Sequence, residues 1–354
     1  MQRRISKSIK VGGVVIGASS PITVQSMTNT DTHNIDATYS QVMRLVEAGC
    51  DIVRITAPDL ESVKTFEALK ARGVTVPLVA DIHFNHEIAV ACAESGVDKI
   101  RINPGNIGSD EKVEKVVRAC QKYSVPIRIG VNSGSLEKSI LTKHGSPTPE
   151  ALAESAMYHA SLLERFDFRN IILSVKASNV PGMIAANRIL AEKTDYPLHL
   201  GVTEAGGGSS AVVKSSIGIG TLLSEGIGDT VRVSLTDDPV EEVLMAREIL
   251  GALGLLKDPG INIISCPTCG RTRINLIGLL AEFKEKIRKE GLDKKNISVA
   301  LMGCVVNGPG EAREADIGIA GGNGEGLIFK KGEILRKTDE ASLIDELIKE
   351  IRLL

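Results

Sequence analysis

Eight short runs of β-branched and aliphatic residues alternate with eight amphipathic stretches through the first 250 residues, and no other feature of the chain restricts its fold as tightly. The strand-like runs are 23–27, 51–56, 77–82, 99–104, 126–131, 171–177, 197–203 and 230–235. The helical stretches between and after them are 37–48, 61–72, 87–95, 111–122, 149–165, 182–192, 211–223 and 240–250. Strands joined by helical crossovers run parallel. Eight such units in about 230 residues predict a closed TIM (β/α)8 barrel in preference to an open sheet. Ahead of the first unit, Arg3, Arg4, Lys7 and Lys10 flank a short apolar, glycine-bearing stretch that faintly mimics a leader peptide. It runs straight into the first strand and reads as a β-hairpin that opens the domain.

The pattern changes after Gly251. Gly-Ala-Leu-Gly and Asp258-Pro-Gly mark a linker over 251–262 between a barrel of residues 1–250 and a module of residues 263–354. That module is expected to be small and α+β. It has strands at 261–265, 298–302, 316–320 and 327–330 and helices at 276–289 and 342–351.

Composition narrows the function. The formal net charge is −2, aromatics are 3% and Trp is absent, which leaves neither a basic field nor a stacking platform for nucleic acid. No apolar run reaches the length of a membrane span. Six cysteines in 354 residues are not a disulfide framework and fit the cytoplasm.

Barrel active sites lie at the C-terminal ends of the strands. There the chain places Arg54, Asp81, His83, Arg101, Asn103, Arg128, Asn132, Lys176, Thr203, Glu204, Arg232 and Ser234. A β-branched–Arg–β-branched triplet occurs four times. Alternation sets each Arg opposite its neighbours, so apolar residues facing the helices turn Arg54, Arg101, Arg128 and Arg232 inward. The alternative is that these guanidinium groups pair with helix carboxylates outside the barrel. Converging cations need anions. Asp81 and Glu204 are expected to supply two, and a diphosphate ligand the rest, since the guanidinium fork matches phosphate oxygens. Glu204-Ala-Gly-Gly-Gly-Ser-Ser210 opens a helix and suits a phosphate cradle; Ser209 could instead be only an N-cap. Of the histidines, His83 alone is placed for the mouth.

The second module carries Cys266-Pro-Thr-Cys269 and, with 34 residues between, Cys304. Cys50, Cys92 and Cys120 fall in apolar barrel segments and read as core. A structural zinc site wants a fourth ligand that this module lacks in His or Cys. An iron–sulfur cluster with one displaceable oxygen ligand, Glu311 after the Gly-Pro-Gly loop, fits the set better.

At these residues the sequence resembles the family of bacterial (E)-4-hydroxy-3-methylbut-2-enyl diphosphate synthases, iron–sulfur enzymes of the methylerythritol phosphate route to isoprenoids. The resemblance runs through the whole chain: Val24-Gln-Ser-Met-Thr-Asn-Thr, Ala80-Asp-Ile-His-Phe, Arg101-Ile-Asn-Pro-Gly-Asn, Ile129-Gly-Val-Asn-Ser-Gly-Ser-Leu, Gly201-Val-Thr-Glu-Ala-Gly, Cys266-Pro-Thr-Cys-Gly-Arg and Asn307-Gly-Pro-Gly-Glu. It implies a [4Fe–4S] cluster on Cys266, Cys269, Cys304 and Glu311. It implies reductive ring opening and dehydration of 2-C-methyl-D-erythritol 2,4-cyclodiphosphate, with electrons from a flavodoxin or ferredoxin. By matching position, Arg54, Arg101, Arg128, Lys176, Arg232 and Ser234 would hold the diphosphate. Asn103, Asn132, Thr203 and Asn307 would orient the rest, and Glu204, Asp81 and His83 are candidates for proton transfer. Two other readings stay open: a barrel transferase resembling dihydropteroate synthase with a structural metal module, and a non-enzymatic iron–sulfur binding protein. The last barrel helix returns the chain to the face opposite the mouth. A linker of about 12 residues reaches at most ~40 Å. A homodimer in which each cluster module caps the partner's barrel is therefore expected.

Overall fold

The computed structural model describes residues 2–304 and 312–354 and separates into two compact units, Met1–Leu256 and Lys257–Leu354. The first unit opens with an antiparallel hairpin, β1 (Ile9–Val11) and β2 (Val14–Ile16). The alternating elements follow: β3 (Thr23–Met27), α1 (Ile35–Glu47), β4 (Ile52–Thr56), α2 (Val63–Ala71), β5 (Leu78–Asp81), α3 (His86–Glu94), β6 (Lys99–Ile102), α4 (Pro104–Ile107), α5 (Asp110–Tyr123), β7 (Ile127–Asn132), α6 (Lys138–His144), α7 (Pro149–Glu164), β8 (Ile171–Lys176), α8 (Val180–Lys193), β9 (His199–Leu200), α9 (Gly208–Ser224), β10 (Thr230–Val231) and α10 (Pro239–Ala252). The eight strands β3–β10 are parallel, in the ring order β8-β7-β6-β5-β4-β3-β10-β9. A parallel bridge between Leu173 and Leu198 joins the two ends. The TIM barrel expected from the alternation is the fold observed.

Two apolar layers fix which way the strand residues face. Val53, Ile55, Leu78, Ala80, Ile100, Ile102, Ile127, Ile129 and Val131 belong to the large core shared with the helices. Ile52, Val79 and Ile172 instead pack with Ile9, Val11 and Ile16 of the hairpin, so the hairpin plugs the floor of the barrel. Residues two places further along the same strands, Arg54 and Asp81, therefore share that inward face. Pro at the first turn of α4, α7, α8 and α10, with Asn103, Thr148, Asn179 and Asp238 as side-chain caps, starts these helices sharply after their loops.

The second unit is a five-stranded sheet, β11 (Asn262–Ser265), β12 (Ser298–Met302), β13 (Ile317–Gly321), β14 (Glu325–Lys330) and β15 (Glu333–Asp339), with α11 (Leu276–Lys289) and α12 (Leu343–Arg352). The first three strands pair parallel and the last two antiparallel. Both helices cover one face through Leu279, Phe283, Leu343 and Leu347 on Val299, Leu301, Ile317 and Ile319. Strand β15 is absent from the sequence reading. Its Glu-Ile-Leu-Arg-Lys-Thr-Asp run is mostly exposed, as an edge strand can be.

Candidate active site

Strand ends bring the expected cations together. Asp81, at the end of β5, is buried and is the hub. Arg101 of β6 donates from Nη1 to Asp81 Oδ1 at 3.1 Å, and Arg54 Nε of β4 lies 3.7 Å from Asp81 Oδ2. Arg54 also donates from Nε and Nη2 to Met27 Sδ, at 3.2 and 2.9 Å. Burial opposes ionisation of Asp81, but Arg54, Arg101 and Arg128 together outweigh it and hold the carboxyl down at about 2. Two glycines make room for this crowding. A Cβ at Gly130 would stand 2.5 Å from Arg101 Nε, and one at Gly201 would stand 2.9 Å from Lys176 Nζ.

Arg128 of β7 is 1% exposed, and its Nε and Nη1 have no hydrogen-bond partner among the described residues. A buried guanidinium with idle donors is a site waiting for an acceptor. Lys176, ending β8, is buried beside it. Asn103 is buried, ends its strand and caps α4 by accepting from Gly105 N at 3.1 Å; Asn132 ends β7. Thr203 is half-buried and donates its N–H to Ala177 O at 3.3 Å, and Ser234 is half-buried beyond β10. His83 is half-exposed with Nε2 4.0 Å from Asp81 Oδ2. Asn307 and Glu311 lie outside the described residues.

Two expectations are corrected here. Glu204 does not supply counter-charge. It is exposed on a left-handed turn, φ +52°, and is in no ion pair among the described residues. Glu242, in the first turn of α10 and buried, takes that place. Its Oε1 accepts from Arg232 Nη2 at 3.1 Å and its Oε2 from Arg232 Nε at 3.3 Å and from Ser26 Oγ at 2.9 Å. So Arg232 pairs with a carboxylate sent in from a helix but stays on the inward face, since Val231 and Val233 lie in the core shared with the helices and Arg232 repels Arg54, Arg128 and Lys176; Arg54, Arg101 and Arg128 gather with Asp81. Nor does Ser209 cap its helix: α9 starts at Gly208 behind Gly207, with no side-chain cap. Lys99 and His199, not among the residues expected at the mouth, are both fully buried one inward position below the rim. Their signal was present in Lys99-Ile-Arg101 and His199-Leu-Gly201, where alternation sets them on the mouth-facing side.

Cys50, Cys92 and Cys120 are core residues whose thiols burial pushes up to about 12. The second unit holds the accessible ones. Cys266 follows β11 and Cys304 follows β12, adjacent parallel strands in register at Ser265 and Leu301, so both lie at one end of the sheet. Gly303 N–H donates to Cys266 Sγ at 3.2 Å, Arg273 N–H to Gly303 O at 2.9 Å, and Cys269 N–H to Thr272 Oγ1 at 3.1 Å. A Cβ at Gly303 would meet the Thr272 side chain at 2.9 Å, so any larger residue there would press on the loop that holds Cys269. Among the described residues no three His, Cys, Asp or Glu side chains are grouped to hold one metal ion. Three free thiols at one sheet end, one of them accepting a backbone N–H, fit a multi-iron cluster, which spreads its cysteines wider than a single ion does.

Fold and site together define a (β/α)8 barrel protein with an anion-seeking mouth and a separate cysteine-bearing domain. Residues 6–247 match the family model described as the GcpE TIM-barrel domain, and residues 262–353 match the GcpE protein C-terminal domain. The chain belongs to the GcpE family. It is 57% identical over 349 residues to a Clostridium perfringens protein named 4-hydroxy-3-methylbut-2-en-1-yl diphosphate synthase (flavodoxin), covering 99% of each chain. A protein of the same name from Caldanaerobacter subterraneus is 56% identical, over 99% of this chain and 97% of its own. A solved dihydropteroate synthase from Stenotrophomonas maltophilia shares the barrel fold alone, with a TM-score of 0.51 and 15% identity over 70% of this chain and 99% of its own.

Proposed function

We propose that this chain is an oxidoreductase that reductively opens and dehydrates 2-C-methyl-D-erythritol 2,4-cyclodiphosphate to (E)-4-hydroxy-3-methylbut-2-enyl diphosphate. The observation that carries the reading is the convergence of Arg54, Arg101, Arg128 and Lys176 on one buried barrel face, with Arg128 short of acceptors, in a chain whose full-length relatives bear that activity in their names.

The ring carbon–oxygen bond and the carbon–hydroxyl bond both break, two electrons and two protons are consumed, and water leaves. Arg54, Arg101, Arg128, Lys176, Arg232 and Ser234 bind the two phosphates. Asp81 and Glu242 fix the guanidinium forks so that their geometry is set before the ligand arrives. Asn103, Asn132, Thr203 and Asn307 orient the carbon skeleton. Asp81, held ionised by its arginines, suits counter-charge better than proton donation. Glu204, exposed at the rim, and His83 are left as the carriers of the proton that turns the departing hydroxyl into water. Cys266, Cys269, Cys304 and Glu311 would hold a [4Fe–4S] cluster, which when bound delivers electrons singly from a flavodoxin or ferredoxin. Backbone donation to Cys266 Sγ helps fix that thiolate and tunes its donor strength. Cysteine usage supports a cytoplasmic setting, and no helix among the described residues is long and apolar enough to cross a membrane.

The decisive experiment is anaerobic purification, iron and sulfide analysis, and turnover of the cyclic diphosphate with dithionite, product read by mass spectrometry. A brown protein that forms the product is expected. A colourless zinc protein would favour the transferase reading, and a brown protein inert to the substrate would favour a binding module. The homodimer with a shared site belongs to the same proposal, and co-expression of Arg128→Ala with Cys304→Ser tests it. Random pairing should revive about a quarter of wild-type sites, counted on two-fold closure; verified mixed dimers with no activity would reject a shared site.

A further inference from the structure

The inward face of the barrel holds more positive charge than its carboxylates balance. Lys99 is fully buried, and its amine donates to Gln25 Oε1 at 3.1 Å. Lys176 is buried, and among the described residues neither lysine is ion-paired. The groups facing Lys99 are Arg54, Arg128 and His199; those facing Lys176 are Arg54, Arg101, Arg128, Arg232 and His199. The carboxylates of the cluster are Asp81 and Glu242, already engaged by Arg101 and Arg232. With every base protonated, seven cations would face two anions in a space whose floor is sealed by Ile9, Val11 and Ile16.

Such an excess is not sustained out of water. Guanidinium groups keep their protons, whereas a buried amine can give its proton up. Burial first, then Arg128 and Arg54, push the Lys99 amine well below its ordinary range. Burial, then Arg232 and Arg128, do the same to Lys176. His199, with both ring nitrogens unpartnered among the described residues, is driven neutral by burial and the same cations. An incoming diphosphate reverses the balance and gives each amine a reason to recover its proton.

We propose that binding of the cyclic diphosphate is coupled to proton uptake by Lys99 and Lys176, so that the ligand-free barrel holds both amines neutral and the complex holds them as ammonium groups. The inference rests on reading the mouth as a diphosphate site. Each phosphorus of the cyclic ligand carries a single, strongly acidic ionisable oxygen, so the ligand has no proton of its own to exchange near neutrality. Affinity should then fall with rising pH by about tenfold per unit for each proton taken up.

The test is calorimetric titration of the cyclic diphosphate into the anaerobic holoenzyme, without an electron donor, at mildly alkaline pH in Hepes and in Tris. These buffers differ in ionisation enthalpy, so the difference in observed heat counts protons. Uptake of about two protons per ligand is expected, and both Lys99→Met and Lys99→Arg should lower it to about one. Equal heats in the two buffers would overturn the coupling and leave the diphosphate reading standing. Absence of binding in either buffer would overturn the reading itself. Uptake undiminished in both variants would overturn the assignment to Lys99.

Discussion

Replacing Arg128 by Met should stabilise the ligand-free protein and cripple ligand binding. Arg128 is fully buried, with Nε and Nη1 unpartnered among the described residues. Burial opposes its charge, Arg54, Arg101 and Arg232 repel it, and Asp81 is its attractive partner. Methionine matches much of the side chain's length and removes both the desolvation cost and the repulsion. Replacing a whole buried ion pair or triad by apolar groups of similar volume stabilises by up to about 1–4 kcal/mol; here only the cation is removed, and Asp81 keeps Arg101 and Arg54 as partners. The lower part of that range applies here, because the Asp81 attraction is lost as well. About 1–2 kcal/mol would raise the unfolding midpoint by roughly 2–8 °C in a domain of this size. Against the diphosphate the sign reverses. Losing one partner of a buried charge pair costs about 2–5 kcal/mol, a loss of affinity of roughly 30- to 5,000-fold. Scanning calorimetry without ligand and titration calorimetry with it measure the two effects on one preparation. A variant that melts lower and still binds as wild type would show that Arg128 is a structural cation and would refute the argument.

The remaining expectations are shorter. Cys266→Ser, Cys269→Ser and Cys304→Ser should each lose iron and activity while far-UV circular dichroism stays barrel-like, because the cysteines sit in the second unit with its own core; a full complement of iron in all three would reject the ligand set. Glu311→Cys should bind iron more firmly and turn over more slowly, so a rate equal to wild type would reject a displaceable carboxylate there. Asp81 has a folded pKa of about 2 against an ordinary 3.8, so its contribution to stability is complete above the ordinary value and disappears as pH falls toward 2. The shift corresponds to about 2 kcal/mol. Unfolding free energies of wild type and Asp81→Asn from urea titrations should therefore converge by about that amount between pH ~6 and ~2; parallel profiles would mean that Asp81 is not held ionised by its arginines.

How far the sequence could be read depended on where chemistry follows period. The barrel was legible because the runs at 51–56, 77–82 and 126–131 alternate with helix signals, and the four Arg triplets were legible because alternation assigns a face. The same rule applied one step further down the strand would have found Lys99 and His199. Attention to the strand ends alone missed them. Glu242 was harder to find. It is the one buried carboxylate among the acidic residues at the start of α10, Asp238, Glu241 and Glu242, and only tertiary packing distinguishes it from its neighbours. Strand β15 was hidden for the opposite reason: an exposed edge needs no apolar pattern, so none is present to read.

The hairpin and the cations make one argument when taken together. Ile9, Val11 and Ile16 close the barrel floor against Ile52, Val79 and Ile172. Without that plug, water would enter from below and screen the arginines, and a diphosphate would gain little by displacing it. With the floor sealed, the charged side chains are kept apart from solvent on that side and fixed by Asp81 and Glu242, so their donors are set before a ligand arrives. The apolar hairpin is thus expected to strengthen anion binding at the mouth, although its own contacts are with Ile52, Val79 and Ile172 at the floor. Opening the floor with Val11→Ser should weaken diphosphate binding even though every residue at the mouth is unchanged.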